Sequence, residues 1–215
     1  VDGLVQAGTK WSLAQGDEEL QNTILKEARQ ALIQPIFASS GDRQGDINLV
    51  NSKICTSAGD GSIFSLAAGA INVGISDINP PPFLVIPPKS QESSGIYTTA
   101  GGGISLFANK DINVNESRVM AFDGNDVILW SDTGDINAGY GSKVAVASGQ
   151  YYYEEQQDGS FEKIYQVPAV GSGVRATAPM ELDMGEIFAY APSGVIDAGE
   201  AGIAGKNVIV AATEV

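Results

Sequence analysis

The chain has 215 residues, of which 26 are glycine, one is cysteine and none is histidine. That length can bury a full core in one or two domains; the missing histidines exclude histidine acid–base chemistry and nearly exclude structural zinc, and one cysteine excludes an internal disulfide. With 12 basic against 26 acidic residues the net charge is −14, which argues against nucleic acid as a partner, because phosphate recognition needs clustered cations.

In chain order, residues 1–16 are glycine-punctuated and carry no clear period. From Glu18 the pattern changes. Leu20, Ile24, Ala28, Ala31 and Leu32 fall on one face, predicting a single amphipathic helix over 18–33, with Asp17 as N-cap and Pro35 as its stop. Residues 45–215 are expected to form a solenoid, and residues 1–44 a helical segment that covers or caps it. Val1 is not an initiator methionine and the repeat stops abruptly at Val215, so the chain reads as a piece of a larger polypeptide.

The solenoid expectation comes from repetition. Isoleucine is followed by asparagine at Ile47-Asn48, Ile71-Asn72, Ile78-Asn79, Ile112-Asn113 and Ile136-Asn137. Apolar anchors recur every seven to nine residues, and every third step closes a turn: Ile112 to Ile136 is 24 residues. This spacing predicts a three-sided parallel β-helix, whose coils stack at about 4.8 Å. At the corners, each asparagine amide is placed to bond its equivalent in the next coil. Cys55, in the run Ile54-Cys55-Thr56, reads as a small core residue.

Two insertions are expected to project. The first is a proline-rich loop over 79–95, whose prolines forbid a central strand. The second, 150–167, reads as a hairpin turning at Asp158-Gly159, with a two-residue turn pairing Tyr152 with Tyr165 and Glu154 with Lys163.

Aligning the repeats stacks Leu66, Phe107, Trp130 and Tyr190 at one coil position, and Phe64, Ser105, Ile128 and Phe188 two residues earlier. Alternate residues are apolar too, so this strand face is apolar on both sides and needs a cover or a partner. The helix over 18–33 is the nearest candidate cover. If it is left open, Phe107, Trp130 and Tyr190 form an interaction surface, and so does the run Tyr151-Tyr152-Tyr153. Asp132, Asp135, Asp183 and Asp197 are the carboxylates a polysaccharide-cleaving β-helix would use, but no basic cluster accompanies them. Gly45-Asp46 and Gly134-Asp135 look like calcium turns, yet the calcium-binding nonapeptide is absent. No catalytic residue, metal ligand or cofactor is assigned.

The segment 117–143, S-R-V-M-A-F-D-G-N-D-V-I-L-W-S-D-T-G-D-I-N-A-G-Y-G-S-K, resembles the conserved β-helical region near the C-terminus of large filamentous-haemagglutinin-type exoproteins, adhesins of two-partner secretion. The surrounding order is similar: Pro87-Pro88-Lys89 before it, then Gly171 to Arg175, then the closing run Gly194 to Val208. The resemblance implies a right-handed β-helix, export by an outer-membrane partner transporter, and a secreted or cell-surface protein. It implies adhesion or a surface matrix, and supplies no catalytic residues. The residues themselves leave three readings open: a structural or adhesive protein that self-associates end to end or contacts host or matrix glycan or protein, a carbohydrate-binding module, and a polysaccharide-cleaving enzyme.

Overall fold

The computed structural model describes residues 1–38, 44–50, 52–56, 59–74, 94–123, 125–140, 150–155, 159–166, 172–178 and 183–215, with strands 150–155 and 161–166 described by backbone alone. Helix α1 spans Asp2–Leu13 and α2 spans Glu18–Ala28; α2 runs on through a π-helical turn, Arg29–Ile33, into α3, Gln34–Ala38. Asp17 caps α2, its Oδ1 accepting the Leu20 amide at 3.0 Å.

Helix α1 corrects the expectation of an irregular 1–16. Its glycines do not break the helix; they bring it close to its neighbours. A Cβ at Gly8 would strike the Tyr190 hydroxyl and the Phe188 ring, and one at Gly3 would meet Leu32 Cδ1 at 2.9 Å. Nor does Pro35 stop the second helix. The Gln34 amide bonds back five residues to Arg29 O, widening the turn just before the proline. Pro35, which has no amide to donate, follows that widened turn directly, and the helix continues past it to Ala38.

From Ile47 the chain winds as a solenoid of parallel strands in three ladders. The first joins β1 (Ile47–Leu49), β4 (Ile71–Val73), β7 (Ile112–Asn113), β10 (Ile136–Asn137) and the end of β14 (Ile187–Asp197). The second joins β2 (Lys53–Thr56), β5 (Gly95–Thr98), β8 (Arg118–Phe122), β13 (Gly173–Thr177) and β15 (Ile203–Ala204). The third joins β3 (Ile63–Ala67), β6 (Ile104–Ala108), β9 (Val127–Ser131), the start of β14 and β16 (Val208–Glu214). Each coil gives one strand to each ladder, so five coils are described. Because β14 serves two ladders across a bulge between Ala191 and Val195, the first and third merge into one sheet.

Every second residue of each strand points inward. The columns Ile47-Ile71-Ile112-Ile136-Ile196, Ile54-Ile96-Val119-Val174-Ile203 and Ile63-Ile104-Val127-Ile187 line the interior, and Val208 continues the last of them in register while remaining exposed. Each fully buried isoleucine contributes roughly 1.5–3 kcal/mol, so these columns dominate the stability of the fold. The same alternation turns Cys55 outward beside inward Ile54, and Cys55 is exposed rather than part of the core. The expected asparagine ladder is present over the first three coils, where Asn113 Nδ2 donates to Asn72 Oδ1 at 2.9 Å and Asn72 Nδ2 to Asn48 Oδ1 at 2.8 Å, whereas Asn137 in the fourth donates to Tyr140 Oη at 3.0 Å.

Strands β11 (Gln150–Glu155) and β12 (Phe161–Gln166) form the predicted antiparallel hairpin, shifted by one residue. Tyr152 pairs with Ile164, Tyr153 with Lys163 and Glu154 with Glu162. The cause is turn length: five residues, 156–160, separate the strands where a two-residue turn was expected, with Gly159 at φ 78°. The proline-rich segment 79–93 lies outside the described residues.

Candidate interaction faces

The third ladder holds the two predicted side-chain stacks in register. Leu66, Phe107, Trp130 and Tyr190 are Cα partners in succession, as are Phe64, Ser105, Ile128 and Phe188. The fifth coil extends them with Ala211 and Ile209. The inward residues between them are apolar, so an uncovered sheet would expose a wide apolar stripe.

The N-terminal helices cover most of it. Leu4 and Ala7 of α1, Leu25 and Ala28 of α2, and Ile33 pack with Phe107, Ile128, Trp130, Phe188 and Tyr190 in one buried cluster. The Trp130 and Tyr190 rings lie 5.2 Å apart and tilted by 41°, a favourable aromatic geometry. The Tyr190 hydroxyl donates to Leu4 O at 3.0 Å, and burial pushes its pKa well above the ordinary phenol value. Arg29 forks onto Asp132, with Nε and Nη2 donating at 2.7 and 2.8 Å, while Trp130 Nε1 donates to the same carboxylate at 3.3 Å. These contacts lock helix to sheet.

Phe107, Trp130 and Tyr190 are therefore 2%, 0% and 0% exposed. They form an interface with the chain's own helices rather than one open to an outside partner, which corrects their reading as an interaction surface. The helix is the cover. What sequence reasoning missed is where that cover stops. Phe64 and Leu66, in the same columns, remain 57% and 39% exposed on β3 of the first coil. Phe64 leans on Phe107 with ring centroids 5.1 Å apart, so the aromatic contact runs from the covered stripe into the open one. The side chains of Tyr151, Tyr152 and Tyr153 lie outside the described residues.

A groove of about 570 Å³ opens between α1 and β16, with Trp11, Ser12 and Gln15 on one wall, Glu186 and Asn207 on another, and Ile209 among its apolar residues. Asn207 Nδ2 donates to Glu186 Oε1 at 2.6 Å, which fixes both side chains at the rim.

The candidate carboxylates are scattered into structural roles. Asp132 holds Arg29, Asp135 accepts the Val195 amide at 2.8 Å, and Asp197 accepts the Gly199 amide at 2.8 Å. Asp183 lies in a separate shallow groove with Asp123, Asp126, Glu186 and Lys206. Among the described residues no group of three or more metal-ligating side chains is placed to hold an ion.

Residues 124–215 match the model of a family described as filamentous haemagglutinin family outer membrane protein. The resemblance read from the sequence is borne out over that span, which covers the fourth and fifth coils and the strand before them. Comparison with curated proteins and with solved structures gives no match.

Proposed function

We propose that the chain is a non-enzymatic, secreted cell-surface protein with a structural and adhesive role, contributing to an extracellular fibre or matrix. In this reading its solenoid is a right-handed, three-sided parallel β-helix exported through an outer-membrane partner transporter. The supporting observation is that the residues matching the haemagglutinin family include two consecutive solenoid coils, in which Asp132, Asp135 and Asp197 are spent on Arg29 and backbone contacts. Protease shaving of intact source cells, with and without the partner transporter, tests it. Cleavage at the surface that disappears with the transporter supports the reading; a chain that stays protected inside the cell overturns it.

A second reading, carbohydrate binding, is favoured by the groove beside Trp11. Its volume lies within the roughly 300–1,000 Å³ of small-ligand sites, and an indole wall facing fixed hydrogen-bonding groups suits a neutral sugar. The Tyr151-Tyr152-Tyr153 run of the hairpin is a second proposed platform. A glycan array probed with the wild type and with Trp11→Ala tests this, and silence of the wild type would remove it.

A further inference from the structure

We propose that the open edge of the first coil is a dimer surface, where two copies of the chain meet head to head about a two-fold axis through Ser65. Among the described residues no strand pairs with the outer edges of β1, β2 and β3, which end their sheets. The inner edge of β3 is taken by the second coil: Ile63 N donates to Gly103 O at 2.9 Å, and Asn109 N to Ala67 O at 3.1 Å. Successive residues of a strand turn their backbone groups to opposite sides, so Phe64 and Leu66 present theirs to the open edge. Their side chains are the ones the helices leave uncovered, at 57% and 39% exposed.

The edge is complementary to itself. In an antiparallel pairing centred on Ser65, Phe64 of each copy lies opposite Leu66 of the other, and each such pair exchanges two backbone hydrogen bonds. Opposed side chains fall on the same outer face, so each exposed phenylalanine covers an exposed leucine. Phe64 already leans on Phe107 with ring centroids 5.1 Å apart, so the joint carries the apolar stripe beneath the helices from one copy into the next. On the inner face Ile63 meets Ala67. The same rotation sets β1 against β2 of the other copy, closing both interiors at Ile47 and Ile54, which are only partly buried where Ile71 and Ile96 are fully so. Charge does not oppose the contact: the chain carries −14, but residues 44–70 hold Asp46, Asp60 and Lys53, a net charge of −1. A coil of 24 residues, from Ile47 to Ile71, matches the roughly 20–30 residues a side of a stable interface. The contact is isologous and closes on itself, so it stops at two copies. It rests on the first coil and not on surface export, so sedimentation and protease shaving can fail separately.

Sedimentation equilibrium of the chain should show mass rising with concentration from 22.3 kDa to twice that value and no further. Phe64→Glu, at an exposed position, should return it to monomer with its far-ultraviolet spectrum unchanged. Cross-linking checks the register, with Cys55→Ser removing the chain's own exposed thiol. In that background Ser65→Cys sets two thiols directly opposite each other across the axis. Their Cα atoms would lie about 4.5 Å apart, as in any non-hydrogen-bonded antiparallel pair, which a disulfide spans. Ala67→Cys, on the same face, lies four residues out of register with its copy, about 13 Å away, and cannot bridge. Mild oxidant should therefore give a covalent dimer from Ser65→Cys and none from Ala67→Cys. A wild type that stays monomeric at millimolar concentration, a mass that climbs past the dimer, or Ala67→Cys that cross-links as readily as Ser65→Cys overturns the proposal.

Discussion

The carboxylate of Asp46 lies over Gly69 one coil further on, where its Oδ1 accepts the Ala70 amide at 2.8 Å. The relationship recurs. Asp111 reaches over Gly134 to the Asp135 amide at 2.9 Å, and Asp135 over Gly194 to the Val195 amide at 2.8 Å. A Cβ at any of these glycines would strike the aspartate oxygen. The second coil has Ala70 in place of aspartate, and the third coil there carries Lys110 in place of glycine. Glycine at this corner thus tracks the aspartate of the coil before it, and turn geometry does not require it.

That dependence predicts a coupling. Gly69→Ala should destabilise the fold by about 1–3 kcal/mol, as overpacking does. In an Asp46→Ala background the same substitution should cost measurably less, with an interaction energy of at least about 0.5 kcal/mol. Urea unfolding of the four proteins measures it. Strictly additive effects would show that the glycine answers to backbone conformation alone.

The close approach of α1 gives a second prediction. Gly8→Ala places a methyl against the Tyr190 hydroxyl and the Phe188 ring, which are themselves packed in the buried cluster and have little room to yield. Helix α1 should lift, raising dye binding to the uncovered stripe and speeding proteolysis within residues 2–13. Loss of stability should again be about 1–3 kcal/mol. An unchanged cleavage rate would mean that α1 contributes little to the cover.

Much of this was legible in the sequence, because a solenoid writes its contacts at a fixed spacing. The isoleucine columns, the asparagine ladder and the Phe107-Trp130-Tyr190 stack emerge from aligning repeats, and each is a pairing in the structure. Helix α1 was not legible, because Gly3 and Gly8 read as turn punctuation when what they supply is space for Leu32 and Tyr190. The partnership of Arg29 with Asp132 spans 103 residues and leaves no local signal. Nor could alignment separate Leu66 from Trp130, which share a column. Only the reach of the helices decides that one is open and the other sealed.

The Arg29–Asp132 pair should respond asymmetrically. Asp132 is 6% exposed, and without Arg29 its carboxylate keeps, among the described residues, the Trp130 indole as a side-chain donor. Arg29 is about a third exposed and can turn to water when Asp132 is removed. Arg29→Ala should therefore cost about 2–3 kcal/mol and Asp132→Ala less, with the double variant close to Asp132→Ala. Thermal or urea unfolding of the three variants checks the order. The reverse order would mean that the carboxylate finds other solvation once the helix is freed.

Tyr190 ties the cover to pH. Its phenol is buried, its hydroxyl donates to Leu4 O at 3.0 Å, and burial raises its pKa above the ordinary 10.0. The unfolded chain ionises this phenol at the ordinary value while the native state does not. Its contribution is thus fully present below that value and is lost as pH climbs from it towards the raised native one. Tyr190→Phe should cost about 0.5–1.5 kcal/mol at neutral pH, because the buried bond from its hydroxyl to Leu4 O is lost while the helix still supplies that carbonyl with a donor. The variant should also lose less stability between about pH 8 and about pH 11 than the wild type, since one of the alkaline titrations is gone. Urea midpoints at the two pH values measure both effects. Equal losses in the two proteins would show that this hydroxyl reaches water, and that the helices do not seal the sheet at Tyr190.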